Sequence, residues 1–423
     1  MKDLRVNRQV FFAFLTFLVF LILWFVYDDI LFLGIWLTII ILIAISFGMA
    51  FFSVSGIEVK RYSRIRTQVV GGYFEERIEV KNTSRTGKLW FELIDESELM
   101  GNIHSRVITR LNAGKLHMFS SMALLNLRGF YELGPTVIRS GDPFGFFSTN
   151  KVFPTINRLT VYPRIFKINN FQLIPGKVLG GEYLQMHTPQ TTPQAASVRE
   201  YQPGDPLNRV HWPITVRKNK LMVKEFDEDT QSSAWIFLDA ESGSYIRDPD
   251  ITPAFDRGLM TLKERRDYEI PRDSFEYAVC AVASLVDFYT RNDIAVGFVC
   301  ESRYSHILPA DKGQRQYGKI METLSVIKEK GTRPLERIVS RQIMNIHRGS
   351  AVILITPATS TRTNPIKALI RRRGLKPLVI RLRNDTFVTQ ERKGINYSTL
   401  EKEEIELHYG RKLQEILGTS TSH

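Results

Sequence analysis

Two stretches near the N-terminus decide the architecture: VFFAFLTFLVFLILWFVY, Val10–Tyr27, and ILFLGIWLTIIILIAISFGMAFF, Ile30–Phe52. They are 18 and 23 residues long and carry no charge. At ~1.5 Å per residue they reach about 27 and 35 Å as helices, enough to cross a hydrocarbon core of ~30 Å. Only Asp28 and Asp29 separate them, so the pair reads as a tight transmembrane hairpin. A cleaved signal peptide does not fit. The first run ends in Trp24, Phe25 and Tyr27 with no small-residue cleavage site, and these aromatics stand where an interfacial belt belongs.

The flanks of the hairpin set its expected orientation. Lys2, Arg5 and Arg8 precede the first run; Lys60, Arg61, Arg64 and Arg66 follow the second. The positive-inside rule then puts the N-terminus and the main body in the cytoplasm, with the hairpin in the inner membrane. Cys280 and Cys300 are the only cysteines, which excludes a disulfide-dense secreted scaffold and fits a reducing compartment. The whole chain of 423 residues has 43% hydrophobic and 24% charged residues, globular values that exclude a disordered chain. The formal net charge is +13.

Beyond the hairpin, residues 56–180 read as β-structure. Tyr73–Val80 alternates between apolar and charged residues, and Leu89–Ile94, His117–Leu127, Gly134–Arg139 and Leu159–Val161 are further strands. Turn signals at Gly71-Gly72, Asn82-Thr83-Ser84 and Gly141-Asp142-Pro143 separate them, a spacing that predicts an antiparallel, immunoglobulin-like sandwich. Residues 181–232 read as a linker, its Gln185–Ser197 part rich in Thr, Pro, Gln and Ala.

From residue 233 to 390 the pattern is wound α/β. Ala234–Leu238, Ala351–Thr356 and Leu378–Leu382 are short apolar strands, and Ile294–Val299 with Ser305–Leu308 forms a hairpin. Asp273-Ser274-Phe275-Glu276 is a capping box that opens a helix with a 3.6-residue apolar period. Gln314–Lys328 and Pro334–Ile346 read as helices, another starts at Asn364-Pro365, and Glu401–Leu417 reads as an amphipathic helix in a tail spanning 391–423. The ~30 residues from Asp239 to Pro271 far exceed an ordinary βα connection and leave the carboxyl end of the first strand, where such domains place their sites.

Two stretches resemble the bacterial "domain of unknown function 58" family. RGFYELGPTVIRSGDPFGFF, Arg128–Phe147, is similar to the end of that family's β-domain. REYQPGDPLNRVHWPITVRKNKLMVKEF, Arg199–Phe226, is similar to its signature in Arg199, Tyr201, Gly204, Asp205, Arg209, Trp212 and Arg217; Val216 stands where the family usually has Ala. The resemblance implies a membrane anchor, a von Willebrand factor A-like fold for the α/β part, and partnership with MoxR-type AAA+ ATPases.

Such A-like domains often hold Mg²⁺ in an Asp-x-Ser-x-Ser loop, joined by a Thr and an Asp from other loops. Asp239 is in register, but Glu241 and Gly243 occupy the Ser positions, and Thr356-Pro357-Ala358 lacks the later Asp. Glu241, Ser242 and Ser244 are the candidates to substitute beside Asp239 in a rearranged loop. The site therefore reads as degenerate, with no cofactor expected. In the signature block, either Arg199, Arg209 and Arg217 present guanidiniums to a phosphate or a carboxylate with Asp205 orienting one of them, or Asp205 pairs with Arg209 across a Gly204 turn while Trp212 plugs the core. Gly313–Lys319 has phosphate-loop spacing, but Ile320 follows the lysine, so it reads as a helix start.

Thr361–Asp385 holds a basic cluster including Arg371-Arg372-Arg373, either a solvated helix end or a surface for anionic lipid or an acidic partner. No aromatic-interleaved motif points to nucleic acid. No nucleophile–base pair stands out, and His211 beside Trp212 reads as a packed residue. The leading expectation is a membrane-anchored, non-enzymatic scaffold that binds a protein partner. The alternative is a cation- or ligand-dependent binder or enzyme with a site at Asp239 and the Arg199–Arg217 block.

Overall fold

The computed structural model describes residues 2–27, 29–99, 105–169, 171, 195–202, 207, 210–226, 233–247, 270–388 and 404–410. The chain divides into two compact units. The first is built mainly on Met1–Arg164, the second mainly on Ile165–Asp248, Arg272–Thr323 and Ile327–His423.

The first unit opens with strand β1 (Lys2–Val6), followed by helices α1 (Arg8–Tyr27) and α2 (Ile30–Ser53). Both helices are long and apolar enough to cross a membrane. Asp29 caps α2, its carboxylate accepting the Leu31 N–H at 3.0 Å, so the acidic turn has a local structural cause. The helices run back against each other, with the Phe17 ring stacked on Trp36 at 5.5 Å. No residue of α1 is buried, and in α2 only Ser46 and Ala50 are. So much exposed Leu, Ile and Phe is costly in water and natural in lipid.

Ten strands follow: β2 (Ile57–Ser63), β3 (Thr67–Val69), β4 (Tyr73–Asn82), β5 (Lys88–Asp95), β6 (Ser105–Leu111), β7 (Leu116–Leu124), β8 (Gly129–Leu133), β9 (Thr136–Gly141), β10 (Phe147–Phe153) and β11 (Asn157–Tyr162). They form a five-stranded antiparallel sheet in the order β1-β10-β9-β5-β6, a three-stranded antiparallel sheet β2-β4-β7, and a small sheet β3-β11-β8. The alternation in β4 puts Phe74, Glu76, Ile78 and Val80 inward. Ile57, Ile78 and Val80 of one sheet share an apolar core with Phe91, Leu93, Ile108 and Ile138 of the five-stranded sheet. The antiparallel β-rich expectation thus holds. Strand β1 is new. Lys2–Val6 carries too few residues for a periodic signal, and it is strand only because β10 offers an antiparallel edge, Val6 facing Phe147.

The second unit contains a two-stranded antiparallel ribbon, β12 (Ala195–Glu200) and β13 (Met222–Phe226), with helix α3 (Trp212–Lys218) between them. Its main sheet uses β14 (Ser233–Leu238), β15 (Ala295–Glu301), β16 (Ser305–Asp311), β17 (Ala351–Thr356), β18 (Lys376–Leu382) and β19 (Glu404–Leu407), in the order β16-β15-β14-β17-β18-β19. Only β16 runs antiparallel. The order reverses between β14 and β17, the crevice where wound α/β sheets bind ligands. Helices α4 (Ser274–Arg291), α5 (Gly313–Val326), α6 (Leu335–Gln342) and α7 (Ser360–Arg372) connect the strands. Leu335, Ile338 and Val339 of α6 and Ile366 and Ile370 of α7 pack on Trp235, Phe237, Val352 and Leu354. Every residue of β14 and of β17 is buried, as strands covered on both faces must be.

The capping box is confirmed: the Asp273 carboxylate accepts the N–H of Phe275 at 2.9 Å and of Glu276 at 3.3 Å. Gly313–Lys319 is the opening of α5 rather than a phosphate loop. Two expectations are corrected. Helix α7 starts at Ser360, not Asn364, and Pro365 lies inside it, where the ring removes the bond that an N–H would make to the Thr361 carbonyl. In the tail, Glu404–Leu407 is a parallel strand and not part of an amphipathic helix. Ile405 and Leu407 alternate with Glu404 and Glu406, a two-residue period that suits the ladder offered by β18. The 248–269 part of the long insert and the 411–423 part of the tail lie outside the described residues.

Candidate functional site

The site lies at the carboxyl ends of β14 and β17. Asp239 follows β14 directly, and its own N–H donates to the Ile355 carbonyl at 2.9 Å, which fixes its backbone on the neighbouring strand. Its side chain is 2% exposed. One carboxylate oxygen accepts the Thr356 hydroxyl at 2.7 Å and the other accepts the Glu241 N–H at 3.0 Å. The Thr356 hydroxyl in turn accepts the Ala358 N–H at 3.0 Å. Tyr245 folds back and donates its buried phenol to the Asp239 carbonyl at 2.6 Å.

Glu241 is held differently. Its carboxylate accepts the Arg362 guanidinium at 2.9 Å, across 121 residues of sequence, and the Ser244 hydroxyl at 3.4 Å. Below the loop, Gly331 donates to the Ala240 carbonyl at 2.7 Å and accepts the Ser242 N–H at 2.9 Å. A Cβ at Gly331 would collide with the Glu301 carbonyl oxygen and stand 2.7 Å from that of Ala240. Both obstacles are backbone. Gly331→Ala is therefore expected to lower unfolding stability by about 1–3 kcal/mol, read as a fall in thermal midpoint.

A cavity of about 240 Å³ opens over these groups, lined by Asp239, Leu335, Glu336, Thr361, Arg362 and Ile366 among others. Burial pushes the Asp239 carboxyl above its ordinary range, while the hydrogen bonds from Thr356 and the Glu241 N–H pull the other way. A raised folded pKa means that the native state binds more protons than the unfolded chain above pH ~3.9. This carboxyl therefore contributes a fall in stability as pH rises through that window. In Asp239→Asn the amide can donate to the free lone pair of Thr356, and its oxygen still accepts from Glu241. The variant is expected to fold and to show a flatter pH dependence of thermal stability above pH ~4, checked by denaturation at pH 4 to 7.

A divalent cation here would have to compete with hydrogen bonds already present. Mg²⁺ requires several free oxygens in near-octahedral array. Both Asp239 oxygens face hydrogen-bond donors, Glu241 faces a guanidinium, and the Ser244 hydroxyl faces Glu241. Among the described residues, no group of three or more His, Cys, Asp or Glu side chains converges as a metal site.

The signature block builds the β12–β13 ribbon. Arg199 stands opposite Val223 in the ladder, and the Tyr201 N–H donates to the Leu221 carbonyl at 2.8 Å. His211 caps α3, its Nδ1 accepting the Ile214 N–H at 3.3 Å, a structural role for the imidazole. Gly204, Asp205, Arg209 and the side chain of Arg199 lie outside the described residues. Trp212 is corrected: it does not plug the core but stands 62% exposed at the start of α3. The reason is that α3, seven residues long, buries none of its side chains, and the ribbon buries Met222 and Val223 instead. Arg217 is exposed in the last turn of the same helix.

Much of the basic cluster is neutralised within the unit. Lys367, 3% exposed at its side chain, donates to Glu404 at 3.0 Å. Arg381 donates to the other Glu404 oxygen at 2.9 Å, and Arg383 pairs with Glu406 and Asp385. Arg362, Gly331 and the β19 glutamates had no signal in the sequence, because each acts on residues far away along the chain.

Residues 197–248, from β12 through β14 to the loop after Asp239, match the family described as "Protein of unknown function DUF58". The "Uncharacterized protein YeaD" of Bacillus subtilis is 22% identical over 220 residues, 51% of this chain and 47% of that protein. This chain thus spans about half the length of that relative. Solved structures with local likeness include a CARDB domain from Pyrococcus furiosus, 10% identical, covering 25% of this chain and 91% of that one at a TM-score of 0.19. Another is the sporulation control protein Spo0M of Bacillus subtilis, 15% identical, covering 25% and 49% at 0.16. Likenesses at such scores carry no argument about fold or function. The fold defines a multidomain protein with two N-terminal apolar helices, antiparallel sheets and a separate unit holding the site. The match over residues 197–248 takes in Arg199–Phe226, where the resemblance to this family is read.

Proposed function

We propose that this is a membrane-anchored binding protein whose α/β unit presents the Asp239–Arg362 face to a protein partner, and that the partner is a MoxR-type AAA+ ATPase. The observation that carries the reading is the state of the site's acids. Asp239 and Arg362 line an open cavity, Arg362 holds Glu241, and hydroxyl, amide and guanidinium groups keep both acids in fixed positions, as a rigid recognition surface needs. The sheet order, with one antiparallel edge strand beyond β15, supports the von Willebrand factor A-like reading of this unit. The two apolar helices support anchoring, and the basic residues on both flanks favour a cytoplasmic body. The identity of the partner rests on the family resemblance.

Arg362 is the residue to change. Its side chain is 55% exposed, so loss of its ion pair with Glu241 costs little stability. Tagged full-length wild type and Arg362→Ala, solubilised in detergent and matched in thermal midpoint, are compared by pull-down and mass spectrometry. An AAA+ ATPase enriched with wild type and depleted with the variant is the expected result. Equal recovery would move the contact elsewhere, and no ATPase in either sample would remove the proposed partner.

A further inference from the structure

The turn between β9 and β10, Gly141-Asp142-Pro143-Phe144-Gly145-Phe146, places two phenylalanine rings beside the point where α1 begins. The turn is rigid. The Asp142 carboxylate accepts the N–H of Phe144 at 2.9 Å and of Phe147 at 2.6 Å. Asn7, the residue before α1, donates its side-chain amide to the Gly145 carbonyl at 2.8 Å and its backbone N–H to the Phe146 carbonyl at 2.9 Å. Gly145 lies so close to Gln9 that a Cβ there would collide with the Gln9 amide oxygen.

The height of this turn relative to the hairpin follows from three contacts. Phe17 faces Trp36, so one helix descends as the other rises. Moving nine residues back along α1 and nine forward along α2 brings Arg8 level with Ile45. On α2, Phe47 meets Phe147 edge-on at 5.5 Å, and Phe147 is the ladder partner of Val6 just before α1. The charge-free run of α1 starts at Val10. The turn therefore sits level with the last polar residues before the hydrocarbon span, the depth at which aromatic side chains are favoured. Phe144 is 50% exposed and stacks on Phe146 with ring centroids 6.1 Å apart, and Val6 beside them is 65% exposed. Water on this patch would be unfavourable, while lipid next to the spans covers it without any further protein.

We propose that the Asp142–Phe147 turn is a third membrane contact, with Phe144 and Phe146 seated in the headgroup boundary of the bilayer next to α1, which fixes the β-unit against the membrane. This rests on the hairpin spanning that bilayer. The test uses full-length protein in phosphatidylcholine–phosphatidylglycerol vesicles, with the buried Cys280 and Cys300 replaced by alanine. A nitroxide is placed at Phe144→Cys, at Leu18→Cys inside α1, and at Arg66→Cys on the exposed loop after β2. Collision with oxygen and with a water-soluble nickel chelate is then measured. The expected result is a lipid-like ratio at 18, an aqueous ratio at 66, and an intermediate, nickel-shielded ratio at 144. A fully aqueous ratio at 144 with a lipid-like ratio at 18 would overturn the third contact and leave the anchor standing. An aqueous ratio at 18 would overturn both. Phe144→Trp gives an independent reading: its added emission is expected to be quenched by lipids brominated near the headgroup, and lack of quenching would count against the contact.

Discussion

Replacing Arg61 by alanine is expected to cost the first unit about 3–5 kcal/mol and to remove its cooperative unfolding transition near physiological temperature. Arg61 lies on β2 with its side chain fully enclosed. It donates to Glu76 on β4 at 3.0 Å and to Asp95 at the end of β5 at 2.7 Å, and to the Thr136 hydroxyl at 3.1 Å. Burial alone would lower its pKa; the hydrogen bonds and charges of Glu76 and Asp95 more than reverse that and hold it above its ordinary value. One guanidinium thus holds two buried carboxylates drawn from two different sheets. Without it, both carboxylates stay enclosed and lose the cation they share. The check is thermal or denaturant unfolding of the detergent-solubilised chain followed by tryptophan emission, Trp90 being in this unit. Asp95→Asn, which keeps the shape and leaves Arg61 paired with Glu76, is expected to lose less. Equal losses would show that the network does not act as described. Such a cluster favours one arrangement of the two sheets over others, since any slip in register strands a charge.

The second large effect is expected at Glu404. Its two carboxylate oxygens hold Lys367 of α7 and Arg381 of β18, and its side chain is 7% exposed. Glu404→Ala leaves a nearly enclosed ammonium without that carboxylate, at an expected cost of about 3 kcal/mol. The expected readout is faster backbone amide exchange confined to β19 and the edge of β18, with β14 and β17 unchanged. Glu406→Ala serves as the comparison: it faces the more exposed Arg383, which also pairs with Asp385, and it should cost clearly less. If the two substitutions cost the same, the burial of Lys367 is not what holds β19 in place.

Local patterns in the sequence carried far. Two uncharged runs specify the hairpin because a span depends only on length and composition. The alternation in β4 and the capping box at Asp273 are equally local, and both appear where the pattern puts them. Trp212 shows the limit. A large aromatic inside a family signature is read as core, yet a two-turn helix on a two-stranded ribbon has no interior to offer it. The tail shows another. Glu404–Leu407 has the composition of a helix and becomes strand because β18 presents an open parallel edge lined with Lys367 and Arg381.

By itself the sequence determined two apolar helices long enough to cross a membrane, the succession from β-rich to wound α/β segments, the stretch similar to a known family and the position of Asp239 at a strand end. Each of these is set by hydrophobic length, periodicity or residues adjacent in the chain. Only the tertiary structure decided that Lys2–Val6 is a strand, that Arg362 holds Glu241 and Thr356 holds Asp239, and that the tail's glutamates neutralise part of the basic cluster. It also brought the Gly141–Phe147 turn against the base of α1. Those outcomes depend on groups far apart in the chain, such as Lys2 and its ladder partner Lys151, meeting at one place. Burial then makes their pairing obligatory, because an enclosed polar group must find its partner wherever the fold supplies one.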